Sequence, residues 1–236
     1  MTNSIRIRPA VLAVTAALTA LLPATLSAQS VVVDQGIFEI LVGGETVGSE
    51  EFTIRRAGMG ADATVIAHGV VTLRLPDGAR ELRPMLQTLP SQRTATGYQL
   101  KISGAETTEL TLTLADRRYV SLLRSERGEE EREFLARPET RIVEQWVAHQ
   151  YHFLGDLDDG EEVWVIEPRT RRQMALTRSS TEGVTVQVGS SPIAAQRATF
   201  QAGEEERTVW FDDQGRVLRL AIPALSYEAR RENPPG

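Results

Sequence analysis

Apolar residues recur at every second position in segment after segment of this chain, and turn-forming residues separate the segments. A period of two sends successive side chains to opposite faces of an extended strand, so each segment can bury one face and wet the other. In Gly36 to Val42, Phe38, Ile40 and Val42 share a face opposite Ile37 and Leu41, and Gly43-Gly44 supplies the positive-φ turn of a hairpin. The return segment, about Thr46 to Arg56, sets Phe52 and Ile54 against Glu51, Thr53 and Arg55. A third strand, about Ala63 to Leu75, meets the hairpin signal Asp77-Gly78 and returns through Ala79 to Leu89. Tyr98, Leu100 and Ile102 then alternate with polar residues, as do Leu110, Leu112 and Leu114. Arg117 to Arg124 and Glu130 to Arg137 form a pair around Gly128, ended by Pro138. Val163 to Glu167, Arg172 to Arg178, Val184 to Val188, Ala195 to Gln201, Thr208 to Phe211 and Val217 to Ile222 complete the series, with Asp212 to Gly215 as the last turn.

One segment departs from this pattern. Ile142, Val143, Trp146, Val147, Phe153 and Leu154 recur at helical spacing, which predicts one amphipathic helix over Ile142 to Leu154, with Thr140 as N-cap, Glu144 as a first-turn acid and Gly155 as the stop. About a dozen strands and one such helix are expected. A helix that short cannot cover the apolar face of so many strands, so the sheet must curl on itself into a barrel, half-barrel or sandwich. The fold class expected is mainly β, a strongly curved antiparallel sheet forming a half-barrel or open barrel with one central amphipathic helix.

Arg6 and Arg8 precede an apolar run from Pro9 to Leu26 that closes on Leu26-Ser27-Ala28, the pattern of a secretory signal peptide. Residues 1–28 are read as that signal, 29–228 as a single antiparallel β domain and 229–236 as a flexible C-terminal tail. The address expected is periplasmic or extracellular. No Cys occurs, which excludes a disulfide framework, a thiol nucleophile and Cys-ligated zinc. Without the signal, 24 basic residues face 32 acidic ones, so nucleic acid is not an expected partner. After the signal no apolar run approaches the roughly 20 residues of a membrane-spanning helix.

Few residues carry a chemical signature. His149 and His152 sit three apart with Asp156, Asp158 and Asp159 near them, so they could share a metal, but the Glu that a zincin helix places between its histidines is missing. Histidines on a polar face near a helix end are the alternative. Asp156 to Glu162 has the Asp spacing of a loose calcium loop, with Gly160 out of place for an EF-hand. Glu129 to Glu131 with Glu133, and Glu204 to Glu206, read as solvated hairpin tips. Arg169, Arg171 and Arg172 form a basic edge that would meet a phosphate or lipid headgroup, or simply guard an edge strand. Trp146, Trp164 and Trp210 fit core positions and also the wall of a ligand cavity. No Ser lies in a nucleophile elbow and no cofactor is implied.

The hairpin Gly36 to Phe52, the segment His149-Gln150-Tyr151-His152-Phe153-Leu154, and Val209-Trp210-Phe211-Asp212 followed by Gly215-Arg216-Val217-Leu218 together resemble the lipoprotein-carrier (Lol-type) superfamily and uncharacterised exported bacterial proteins of that fold. The resemblance implies an open half-barrel whose apolar concavity shelters lipid or acyl chains. The function expected is therefore an exported, soluble, non-enzymatic binding protein for a lipid, acyl chain or other hydrophobic ligand. Its expected lining is Phe38, Ile40, Phe52, Ile54 and Tyr98, with Leu100, Ile102, Trp146 and Phe153. Two alternatives stand beside it: an envelope structural or assembly factor that pairs with a protein partner through a sheet edge, and a metal-assisted hydrolase around His149 and His152.

Overall fold

The computed structural model describes residues 30–58, 60, 63–89 and 94–236. The expected signal peptide lies outside the described residues. The strands are β1 (Ser30–Val42), β2 (Glu45–Ala57), β3 (Thr64–Leu75), β4 (Gly78–Thr88), β5 (Ala95–Gly104), β6 (Thr108–Ala115), β7 (Arg118–Ser125) and β8 (Gly128–Leu135). They continue as β9 (Arg141–Ile142), β10 (Glu162–Glu167), β11 (Arg172–Val188), β12 (Ser191–Ala202), β13 (Glu205–Phe211), β14 (Val217–Ile222) and β15 (Tyr227–Arg231). All belong to one 15-stranded sheet in the order β8 to β1, then β15 back to β9. Every neighbouring pair is antiparallel except β9 with β10.

The first and last strands are therefore neighbours in the middle of the sheet, and the two outer edges are consecutive in sequence, joined through residues 136–140. Register shifts at Val32/Asp34, Ile40/Leu41, Gln87/Thr88, Arg178/Ser180 and Trp210/Phe211 bend the strands. The sheet curls far enough that Ala95 N–H donates to Thr140 O at 3.0 Å and Gln173 Nε2 donates to Leu135 O at 2.7 Å. Its concave side holds one continuous core, with Phe38, Ile54, Leu82, Leu100, Val165 and Phe200 among its members. The outer edge β8 is exposed along nearly its whole length and carries ion pairs from Arg118 to Glu133, Arg124 to Glu129 and Arg171 to Glu130.

Two features of the expected fold are corrected. Among the described residues the strands number 15 rather than about a dozen, because β9 and β15 carry no alternation long enough to read. The central amphipathic helix is absent: Arg141–Ile142 is a strand, and only His149–Leu154 makes a short 3-10 turn. An amphipathic helix needs a wet face, and residues 140–154 are buried on all sides except at Gln145 and Trp146. Trp146 takes φ 74°, which ends any helical run, and side chains replace the helical hydrogen bonds. Glu144 N–H donates to Gln150 Oε1 at 2.7 Å, and Ala148 N–H donates to Glu50 Oε2 at 2.7 Å. The tail expected from residue 229 is paired in β15 as far as Arg231.

Candidate functional site

The segment from Arg141 to Leu157 crosses the inside of the curved sheet as a plug, and its buried backbone must find partners there. Glu50, fully buried on β2, supplies them: its carboxylate accepts the Ala148 amide and also pairs with His149 Nδ1. The His149 ring lies parallel to Phe52 with centroids 5.5 Å apart, and Phe52 stacks on Phe38 at 5.1 Å. Gly69 leaves room for the imidazole, since a Cβ there would come within 3.1 Å of His149 Cε1. His149 Nε2 and the Tyr227 hydroxyl are buried without a hydrogen-bond partner among the described residues. Burial pushes the Tyr227 hydroxyl well above its ordinary range, and the Glu50 charge adds to this. Burial likewise raises the Glu144 carboxyl, against the opposing pull of Arg169 and of the Gln145 and Arg169 amides.

On one side the plug opens into a pocket of about 90 Å³ beneath the turn Pro223–Leu225. Its floor is a buried polar network. Arg207 Nη1 donates to Tyr151 Oη at 2.9 Å, Arg207 Nη2 to Glu167 Oε1 at 2.5 Å, and Thr170 Oγ1 to Glu167 Oε2 at 3.0 Å. Burial works against the Arg207 charge, but Tyr151 and Glu167 more than offset it, so the guanidinium stays protonated. At the rim Arg172 Nη1 meets Glu205 Oε1 at 2.8 Å and holds that carboxyl below its ordinary range. Ile222, Ala224 and Leu225 form the apolar wall, with Leu225 38% exposed at the mouth. Two arginines balance two glutamates, so the pocket presents hydrogen-bonding groups and an apolar wall with little net charge. At about 90 Å³ the pocket takes a group of a few heavy atoms, with hydrogen bonds on one side and the apolar wall on the other.

Eight of the nine residues expected to line a cavity, Phe38, Ile40, Phe52, Ile54, Tyr98, Leu100, Ile102 and Phe153, are buried together in the core cluster. Trp146 is half-buried beside it, edge-on to Tyr227 at 5.2 Å. Of these, Phe52 also lines a groove of about 680 Å³ that runs along β1. The two histidines of the plug diverge, since His152 Nδ1 contacts Gly215 O at 2.9 Å while His149 faces Glu50. Among the described residues no three His, Asp or Glu side chains gather to hold a metal ion. Asp159 pairs instead with Arg178 at 3.3 Å, and Glu161 accepts the Asp158 amide at 2.8 Å. Arg169, Arg171 and Arg172 each pair with a glutamate.

No motif marks Glu50, Glu167 or Arg207 in the sequence, yet their positions carry a signal. Glu50 is in phase with Phe52 and Ile54, Glu167 with Val163 and Val165, and Arg207 with Val209 and Phe211. A charge in the buried phase of a strand must find a partner inside, and each of these does.

No family model matches the sequence, and no curated protein matches it. Among solved structures, the chain is similar to a β-barrel-like protein of the domain of unknown function DUF1849 from Brucella abortus, with TM-score 0.52 and 8% identity over 87% of this chain and 96% of that one. A DUF1089 family protein from Pseudomonas aeruginosa aligns with TM-score 0.43 and 13% identity over 75% of this chain and 90% of that one. The first likeness shows a β-barrel-like fold and nothing of function. Among the described residues no helix is long and apolar enough to cross a membrane.

Proposed function

We propose that this is an exported, non-catalytic binding protein for a hydrophobic or amphiphilic ligand such as a lipid, working in the periplasm or beyond it. The observation that carries the reading is the pocket under Pro223–Leu225, where an apolar wall of Ile222, Ala224 and Leu225 meets the buried set Tyr151, Glu167 and Arg207. Since the plug and the core side chains occupy the concave face, the ligand's polar end enters this pocket and its chain lies outward over Leu225. The resemblance to Lol-type carriers supports the ligand class, and the signal-like first 28 residues support export.

Native mass spectrometry of the protein purified from its own envelope, followed by organic extraction and lipid analysis, tests the proposal. A stoichiometric amphiphile is expected, and Leu225→Arg, which sets a charge in the pocket mouth without touching the core, is expected to remove it while leaving thermal stability within a few degrees. An empty wild-type protein, or a ligand retained in full by the variant, refutes the site.

A further inference from the structure

Four charges around the pocket under Pro223–Leu225 form a closed ring of alternating sign. Strand geometry puts them there. Glu167 at the end of β10 stands opposite Arg172 at the start of β11, and Glu205 and Arg207, two apart on β13, share a face. Each arginine reaches both glutamates. Arg172 Nη1 lies 2.8 Å from Glu205 Oε1 and 3.9 Å from Glu167 Oε2, and Arg207 Nη2 lies 2.5 Å from Glu167 Oε1 and 3.5 Å from Glu205 Oε2. The ring is also tied from outside, since Arg207 donates to Tyr151 and Thr170 donates to Glu167.

Only half of the ring meets the pocket mouth. The Glu167 and Arg207 side chains are 10% and 4% exposed, whereas those of Glu205 and Arg172 are 35% and 44% exposed. These two keep their charges, because their mutual hydrogen bond raises the pKa of Arg172 and lowers that of Glu205. An entering anion is drawn to Arg172 and repelled by Glu205 beside it, and a cation meets the reverse. Either ion gives up its water for a field that nearly cancels, so its dehydration goes uncompensated. A neutral group that both donates and accepts gains on both sides. A hydroxyl can donate to the Glu205 carboxylate and accept from Arg172 Nη2, whose partner in the structure is the weak acceptor Met174 Sδ at 3.7 Å. A head of that size fits a pocket of about 90 Å³, and the wall of Ile222, Ala224 and Leu225 receives the first carbons of the chain.

We infer that this pocket selects amphiphiles with an uncharged hydroxyl head, such as a long-chain alcohol or a monoacylglycerol, over those ending in a carboxylate, phosphate or ammonium group. The selectivity rests on the pocket being an amphiphile site, as proposed above, and narrows its ligand to one class of head.

The test titrates the purified protein with 1-decanol, 1-monodecanoylglycerol, decanoate and decylammonium at neutral pH, where the last two are ionised. Amide shifts at Thr170, Ala224 and Leu225 report occupancy of the pocket. The hydroxyl probes are expected to saturate these shifts with an affinity about tenfold or more above that of either ion. Either order between the two hydroxyl probes supports the inference, and the order tells an alcohol from a glyceride. Glu205→Gln leaves Arg172 unmatched and is expected to raise decanoate relative to 1-decanol by about tenfold, and Arg172→Gln to raise decylammonium in the same way. Both residues lie at the half-exposed rim, and a thermal midpoint within a few degrees of wild type shows that each variant is folded. Binding of decanoate or decylammonium to the wild-type protein as tight as that of the hydroxyl probes overturns the inference and leaves the amphiphile site standing. An unchanged ranking in both folded variants also overturns it. No shift at these residues with any of the four probes overturns the site and the selectivity together.

Discussion

Glu144 shows how the interior handles charge one residue at a time. Its carboxylate accepts the amides of Gln145 and Arg169 and the guanidinium of Arg169, yet burial outweighs these and lifts its pKa above 4.5. The folded state then holds the proton more tightly than the unfolded chain, so the contribution of Glu144 is fully present below pH 4.5 and is lost as pH rises through the folded value. Glu205 and Glu228 act in the opposite sense. The hydrogen bond from Arg172 depresses Glu205, while Arg230 and Arg219 overcome burial at Glu228, so both contribute above pH 4.5 and lose that contribution as pH falls. Glu144→Gln is expected to make the slope of unfolding free energy against pH more positive above pH 4.5. Urea unfolding at several pH values measures the slope, and an unchanged slope would place the titration elsewhere. The same residues show what the sequence concealed at this scale. The alternation marks Glu50, Glu167 and Arg207 as facing inward, but which charge meets which depends on strands far apart in the chain, as with Glu50 and His149.

At the scale of the element, β2 and β3 depend on a glycine that no turn requires. A Cβ on Gly48 would lie 1.8 Å from Thr72 O, so Gly48→Ala must push two paired strands apart at the backbone. A cost of about 3 kcal/mol or more is expected, measured as a lowered midpoint in chemical unfolding. Ala in place of Gly183, where a Cβ meets nothing within 4 Å, is the control and should be nearly neutral. The hairpins themselves were legible: Gly43, Gly44, Gly78, Gly128 and Gly215 all take the positive φ that their turn signals imply. The plug was not. Its apolar spacing fits a helix, but spacing is informative only where one face is wet, and the interior of a curved sheet has no such face. β15 was missed for a related reason, because Tyr227, Ala229 and Arg231 form its buried phase and only the first reads as a core residue.

For the whole molecule, β15 joins two halves that otherwise never pair, β1 to β8 on one side and β9 to β14 on the other. Deleting Tyr227 to Gly236 leaves β1 paired only with β2 and β14 only with β13, and removes the Asp34–Arg231 pair. That truncation is expected to abolish cooperative unfolding and resistance to protease, whereas removing Pro234 to Gly236 alone should cost no more than about 1 kcal/mol. A cooperative, protease-resistant protein ending at Ser226 would show that the halves fold apart.

The adjacency of the first and last strands also sets a schedule. A ribosome delivers β1 long before β15, so β1 spends that whole interval with one flank unpaired. The meander β1 to β8 can zip locally as it emerges, but the Asp34–Arg231 clasp closes over a loop almost as long as the chain, and such closures are slow. Until β15 is made the polypeptide is therefore an unclasped belt, its two halves lacking the strand that buckles them.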